Sequence, residues 1–218
     1  MDQNQAIAAF IEEKKEEMLA LWKELVNLES YVGEADHVTA VLRRVQQELE
    51  AEGFDCRLVE VGGGWAGTLV GTLGADRPGK PILFSGHLDT VFPAGSWGPA
   101  PFRIEDGKAY GPGALDMKGG VVIALYVAKA LNHIGYRQTP IKVIFSGNEE
   151  KGHVGSTGDQ VFLEEARGCQ FAFNMETGLH TGELCVGRKG HLGCHVEVTG
   201  IESHAGNDFE SGRSAIEE

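Results

Sequence analysis

The sequence has no CxxC pair, no basic stripe and no long apolar run. Its four cysteines, Cys56, Cys169, Cys185 and Cys194, have the spacing of neither a zinc knuckle nor a disulfide framework. They read as buried free thiols in a reducing compartment. No apolar stretch approaches the roughly 20 residues a membrane helix needs. Residues 1–17 lack the basic n-region and apolar h-region of a signal peptide. The expectation is a cytoplasmic protein with no membrane partner. Basic residues are outnumbered, 19 Lys plus Arg against 32 Asp plus Glu, for a net charge of −13. That balance argues against nucleic acid, because no basic surface is available to meet its phosphates. A solvated acidic surface accounts for most of the charge.

What is present suits one sizeable core or one and a half domains: 218 residues, 42% hydrophobic and 23% charged. Ile7, Phe10, Ile11, Met18, Leu21, Trp22 and Leu25 recur at helical spacing, predicting an amphipathic helix to about Leu28. A second helix is predicted from Ala35 to Glu52, stopped by Gly53. Phe54–Val61 and Thr68–Leu73 read as strands joined across Gly62-Gly63-Gly64. No helix follows that triple glycine, so a hairpin turn is favoured over a phosphate loop. Ile82–Phe84 is a short run apolar on both faces, as in a buried parallel strand. Asp106-Gly107 marks a hairpin between Phe102–Ile104 and Lys108–Tyr110. Met117 to Ile134 is predicted as a helix buried nearly all round, Ile123 included, with Gly119 and Gly120 marking close backbone packing. Ile141–Phe145 and Gln170–Phe173 read as two more buried strands, with a helix over Ser156–Ala166 between them. Leu184–Gly187 and His191–Thr199 read as further strands. Ser214–Glu218 reads as the first turn of a helix that stops short, which predicts a natural folding unit longer than this chain.

Three buried strands thus end in candidate ligands: His87 with Asp89, Glu149 with Glu150, and Glu176. Asp116 sits where a Gly-rich loop enters a buried helix. If those strands are parallel neighbours, the endpoints converge on one sheet edge, where open α/β sheets gather their chemistry. One imidazole and five carboxylates so placed would repel and protonate unless cations relieve them. The donor set suits Zn²⁺, with Co²⁺ or Mn²⁺ as substitutes; it is nitrogen-poor for copper, and the imidazole argues against a pure calcium site. More carboxylates are present than one metal needs, which favours two metals.

The segments HLDT, GPGALDMKGG, NEEKGHVGS and METG, in this order, resemble the zinc metallopeptidase family of glutamate carboxypeptidases, acetylornithine deacetylase, succinyl-diaminopimelate desuccinylase and aminoacylase. The resemblance runs from about residue 20 to the end, and GPG with NEEKG looks nearest the glutamate carboxypeptidase branch. It implies an α/β catalytic domain, with a mixed, mostly parallel sheet flanked by helices, over residues 1–189. Residues 190–218 would begin a smaller α+β lid that dimerises. It also implies two divalent metals, most simply Zn²⁺, and a small peptide or N-acyl amino acid as substrate. His87 and Glu176 would bind one metal, Glu150 the other, and Asp116 would bridge them, followed by a cis peptide to Met117. Asp89 would hydrogen-bond the far ring nitrogen of His87. Glu149 would be the general base, taking a proton from the attacking water and giving it to the leaving amine. His204, in GIESHAG, would steady the oxyanion in the partner subunit's site. His37, His133, His153, His180, His191 and His195 read as ordinary surface or core positions.

The same pattern implies that a further metal-binding histidine and the groups gripping the substrate carboxylate lie beyond residue 218. The 218-residue chain is then expected to bind one metal better than the other and to turn over slowly. The implied reaction is cleavage of an amide beside a carboxylate-bearing amino acid, releasing glutamate in one version. An N-acyl amino acid deacylase uses identical chemistry. A non-catalytic metal-binding or assembly module would have no need of a base at Glu149. A flavodoxin-like phosphate binder would need Gly-rich loops opening helices, and Asp116 would repel a phosphate at the one place that comes near.

Overall fold

The computed structural model describes residues 2–178, 181–187, 189–190 and 192–217. The chain divides into two compact units, Met1–Thr177 and Gly178–Glu218. The sequence reading sets its own boundary after residue 189.

The first unit opens with two helices. Helix α1 (Gln3–Asn27) starts on a capping box in which Asp2 and Gln5 satisfy each other's backbone donors. Helix α2 (Ala35–Ala51) turns Val38, Val41, Leu42, Val45 and Leu49 inward, the stripe its periodicity predicts. Strands β1 (Asp55–Val59) and β2 (Thr68–Leu73) form an antiparallel hairpin around the triple glycine. Strand β3 (Ile82–His87) follows, then a small separate hairpin of β4 (Arg103–Glu105) and β5 (Lys108–Tyr110), turned at Asp106-Gly107. Helix α3 (Gly119–His133), strand β6 (Ile141–Ser146), helix α4 (Gly158–Ala166) and strand β7 (Phe171–Asn174) complete the unit.

The five long strands lie in the order β1-β2-β6-β3-β7. β3 is parallel to β6 and to β7, while β2 is antiparallel to both β1 and β6. Four of the five strands therefore point the same way, giving the mixed, mostly parallel sheet expected. The crossovers place the helices. From β3 the chain returns through α3 to β6 on one side of β3; from β6 it passes through α4 to β7 on the other side. Right-handed connections running in opposite directions put their helices on opposite faces. Accordingly the main core packs α1, α2 and α3 against Leu69, Phe84, Val143 and Phe145, while Val161 of α4 meets Val61 and Val70 in a smaller cluster.

Two expectations for this unit change. Strand β7 is not buried: Phe171 and Phe173 are 55% and 50% exposed, because β7 is an edge strand with β3 on one side only among the described residues. Helix α3 buries most of its length, yet Ile123 is 51% exposed.

The second unit is sparse. Leu184–Gly187 and residues 192–199 form no strand, and their side chains are exposed. A strand needs a ladder of partners to satisfy its backbone. Within the described residues of this unit, the one bridge pairs Ile201 with Arg213 through reciprocal N–H···O bonds of 2.9 and 3.0 Å. Residues 214–217 are not helical: the Ser214 hydroxyl accepts from the N–H groups of Ile216 and Glu217 instead. His180, His191 and Glu218 lie outside the described residues.

Phe145, fully buried in the central strand β6, holds the main core together. Phe145→Ala is expected to cost about 3–5 kcal/mol of stability, measured by urea unfolding of the first unit's circular dichroism signal.

Candidate metal centre

Because β3, β6 and β7 are parallel neighbours, their carboxyl ends share one sheet edge. β3 delivers His87 as its last residue, and the imidazole is only 1% exposed. Its Nδ1 lies 3.0 Å from the backbone oxygen of Asp89 and 3.4 Å from that residue's carboxylate. The ring is thereby oriented with Nε2 facing outward. There it meets Asp116 Oδ1 at 3.0 Å, Glu176 Oε1 at 3.3 Å and Glu149 Oε2 at 3.7 Å.

Each carboxylate is aimed by local backbone. Asp116 lies in an irregular turn, Ala114–Lys118, whose Asp116–Met117 peptide is cis. Trp22 Nε1 donates to the Ala114 carbonyl (3.1 Å), and Lys118 Nζ donates to the Leu28 carbonyl (2.9 Å), so α1 braces both ends of the turn. Met117 tucks beneath β3, where its sulfur accepts from the His87 N–H. A Cβ on Gly120 would collide with the Met175 carbonyl oxygen; this glycine lets α3 approach the chain just before Glu176. Glu149 and Glu150 stand on a short turn, Glu149–Lys151, after β6. Their N–H groups donate to Asp89 Oδ1 (3.2 Å) and Oδ2 (2.9 Å).

Asp89 faces the far ring nitrogen of His87 and also holds the neighbouring turn. It is fully buried, its backbone oxygen is the nearer partner of the His87 ring, and its carboxylate mainly caps the Glu149–Glu150 turn. His204 belongs to the second unit, where its exposed ring accepts the N–H groups of Gly206 and Asn207 through Nδ1 at 3.1 Å. His153 has a structural role, bonding Asn148 Oδ1 at 2.8 Å. Sequence reasoning overlooked Lys118 and Asn148, both fully buried. For Lys118 a signal existed, a lone charge at the head of an apolar helix.

Burial and crowding among these groups govern the electrostatics of the cluster. Burial opposes a charged His87, but hydrogen bonds to Asp89 and Glu176 outweigh it and push the imidazole up to about 11. Burial, aided by the neighbouring carboxylates, lifts Glu150 to about 7 and raises Glu149. The hydrogen bond from His87 holds Glu176 below the ordinary carboxylate range. Burial pushes Lys118 down to about 7. Two overlapping groups could each hold an ion, His87–Asp116–Glu150 and His87–Glu149–Glu176, with ligand atoms within 4.8 Å of one another. One imidazole among hard carboxylate oxygens fits Zn²⁺ or a similar divalent ion, which would also relieve the repulsion.

Fold and site together define an α/β protein of the metallohydrolase class. The chain belongs to peptidase family M20/M25/M40, whose pattern matches residues 83–214. It is 36% identical over 199 residues to carboxypeptidase G2 of Pseudomonas sp. (strain RS-16), covering 90% of this chain and 47% of that protein. It is 31% identical over 193 residues to the succinyl-diaminopimelate desuccinylase of Acidiphilium cryptum (strain JF-5), covering 84% and 49%. The chain thus spans about half the length of the curated relatives it matches. Among solved structures, human carnosine dipeptidase 1 superposes with a TM-score of 0.67 at 23% identity, over 80% of this chain and 41% of that one. Aminopeptidase PepT from Bacillus cereus ATCC 10987 gives 0.65 at 22%, over 93% and 54%. At that identity the likeness speaks for the fold.

The pKa shifts predict a pH dependence in chelator. Folded Glu150 keeps its proton to about pH 7, whereas the unfolded chain releases it near 4.5. The folded state binds more protons between those values, so stability falls as pH rises from about 4.5 to 7. His87, protonated to about 11 when folded and 6.5 when unfolded, extends the fall to higher pH. Melting temperatures across pH should show this slope, and Glu150→Gln should flatten its lower part.

Proposed function

We propose that this chain is the greater part of the catalytic domain of a two-metal amidohydrolase. The reaction would cleave an amide beside a carboxylate-bearing amino acid, in the manner of a carboxypeptidase. The observation that carries the reading is Glu149. It is a half-buried carboxylate within 3.7 Å of the imidazole Nε2, its pKa raised toward that of a working base, beside a second glutamate free to serve as ligand.

In this reading His87, Asp116, Glu150 and Glu176 would hold two divalent ions, Zn²⁺ before Co²⁺ or Mn²⁺, with Asp116 as the shared ligand that the family resemblance implies. Such ions supply Lewis-acid polarisation and acidify water. The chain's own residues do the remainder. Glu149 accepts the proton of the attacking water on its carboxylate and passes it to the departing amine nitrogen. Asp89 holds His87 and the Glu149–Glu150 turn in register so that neither reorganises during the reaction. His204 would serve the oxyanion of a partner subunit, with residues 190–218 opening a lid that dimerises. A cytoplasmic location belongs to the same reading; no described helix is long and apolar enough to cross a membrane.

Glutamate as the released amino acid rests on the resemblance of GPG and NEEKG to the glutamate carboxypeptidase branch; the match to carboxypeptidase G2 supports the carboxypeptidase class alone. The matches to succinyl-diaminopimelate desuccinylases favour a second reading, deacylation of an N-acyl amino acid by the same chemistry. A panel of N-acyl amino acids and dipeptides, assayed on the complete parent chain with zinc and with chelator, separates the two. The expected result is chelator-sensitive release of a free amino acid; absence of such hydrolysis across the panel counts against both. Glu149→Gln should lower kcat by about 10²–10⁴-fold while calorimetric titration shows zinc still bound. Loss of zinc with the activity would make Glu149 a ligand and not the base.

A further inference from the structure

The triple glycine takes no part in the chemistry above, yet its turn leans on the segment that carries Glu149 and Glu150. Gly62, Gly63 and Gly64 have φ of 73°, 67° and 76°, three successive left-handed residues that side chains resist. A Cβ on Gly63 would collide with the carbonyl oxygen of Gly155. The turn sets Trp65 so that its indole N–H donates to the Val154 carbonyl at 3.0 Å. The Val154 N–H donates in turn to the Lys151 carbonyl, the last residue of the ligand-bearing turn, at 3.2 Å. A continuous line of hydrogen bonds thus runs from the indole to the turn. On the inner side Asp89 grips the turn only through two adjacent N–H groups. The buried Asn148 carbonyl also accepts from the N–H groups of Lys151 and His153, so the Trp65 tether adds an outer hold to an inner one.

We propose that Trp65 is a positioning residue for metal binding. Its bond to Val154 sets the tilt of the Glu149–Lys151 turn and so the reach of the Glu150 carboxylate toward Asp116 and His87. The proposal rests on the metal reading above and adds to it a residue more than eighty positions away in sequence.

The test is titration of the purified chain with Zn²⁺ by calorimetry and with Co²⁺ by visible absorption. Trp65→Phe keeps the ring and removes only the donor. The expected result is a three- to tenfold loss of affinity, the worth of about one net hydrogen bond, with a changed Co²⁺ spectrum. The loss should vanish in a Glu150→Gln background, because the tether acts through that carboxylate. Val45→Ala, a core change matched for melting temperature, should leave affinity at the wild-type value. Wild-type affinity in Trp65→Phe overturns the proposal, as does an undiminished loss in the Glu150→Gln background. A wild-type chain that takes up neither ion overturns the metal reading and the tether with it.

Discussion

The site depends on one buried carboxylate. Asp89 is fully inaccessible, and an ion so placed is costly unless its oxygens are satisfied. Here both oxygens accept backbone N–H groups, from Glu149 and Glu150, and one faces the His87 ring. The end of β3 is thereby tied to the end of β6 at the atoms where the chemistry would occur. Neutral partners could not do this, because only an acceptor-only group can take both turn donors and a ring N–H together.

Around Asp89 the molecule carries a local conflict. Asp116, Glu149, Glu150 and Glu176 crowd one imidazole, and burial and mutual repulsion raise Glu149 and Glu150. A fold selected for stability alone would disperse these charges. Their concentration at the carboxyl edge of a parallel sheet is a local inconsistency of the kind functional sites retain. The surrounding structure tolerates it through rigid supports: α1 braces the Asp116 turn through Trp22 and Lys118, and Met117 fills the space beneath β3.

Much of the first unit was legible in the chain because its signals are local. The α2 stripe, the Asp106-Gly107 hairpin and the apolar run before His87 each follow from periodicity or turn chemistry within a few residues. Illegible were properties that depend on neighbours. Apolar composition alone does not tell an edge strand from a central one, so Phe171 and Phe173 read as buried when they are not. The alternation over residues 192–199 promised a strand, but alternation supplies no partner for the backbone. Lys118 was overlooked because the Leu28 carbonyl that satisfies it lies ninety residues upstream.

The sequence by itself determined the residue types of the centre and their placement after strands, since spacing and side-chain chemistry are local facts. It also carried the family's four motifs in order, which is why the candidate ligands could be named by number. Only the tertiary structure decided that β3, β6 and β7 are parallel neighbours, which is what turns separate strand ends into one cluster. It likewise decided that Asp89 caps a turn sixty residues away, and that Trp65, after the triple glycine, bonds to the loop that follows that turn. Those relations depend on crossover direction and long-range packing, and neither is written in any single stretch of chain.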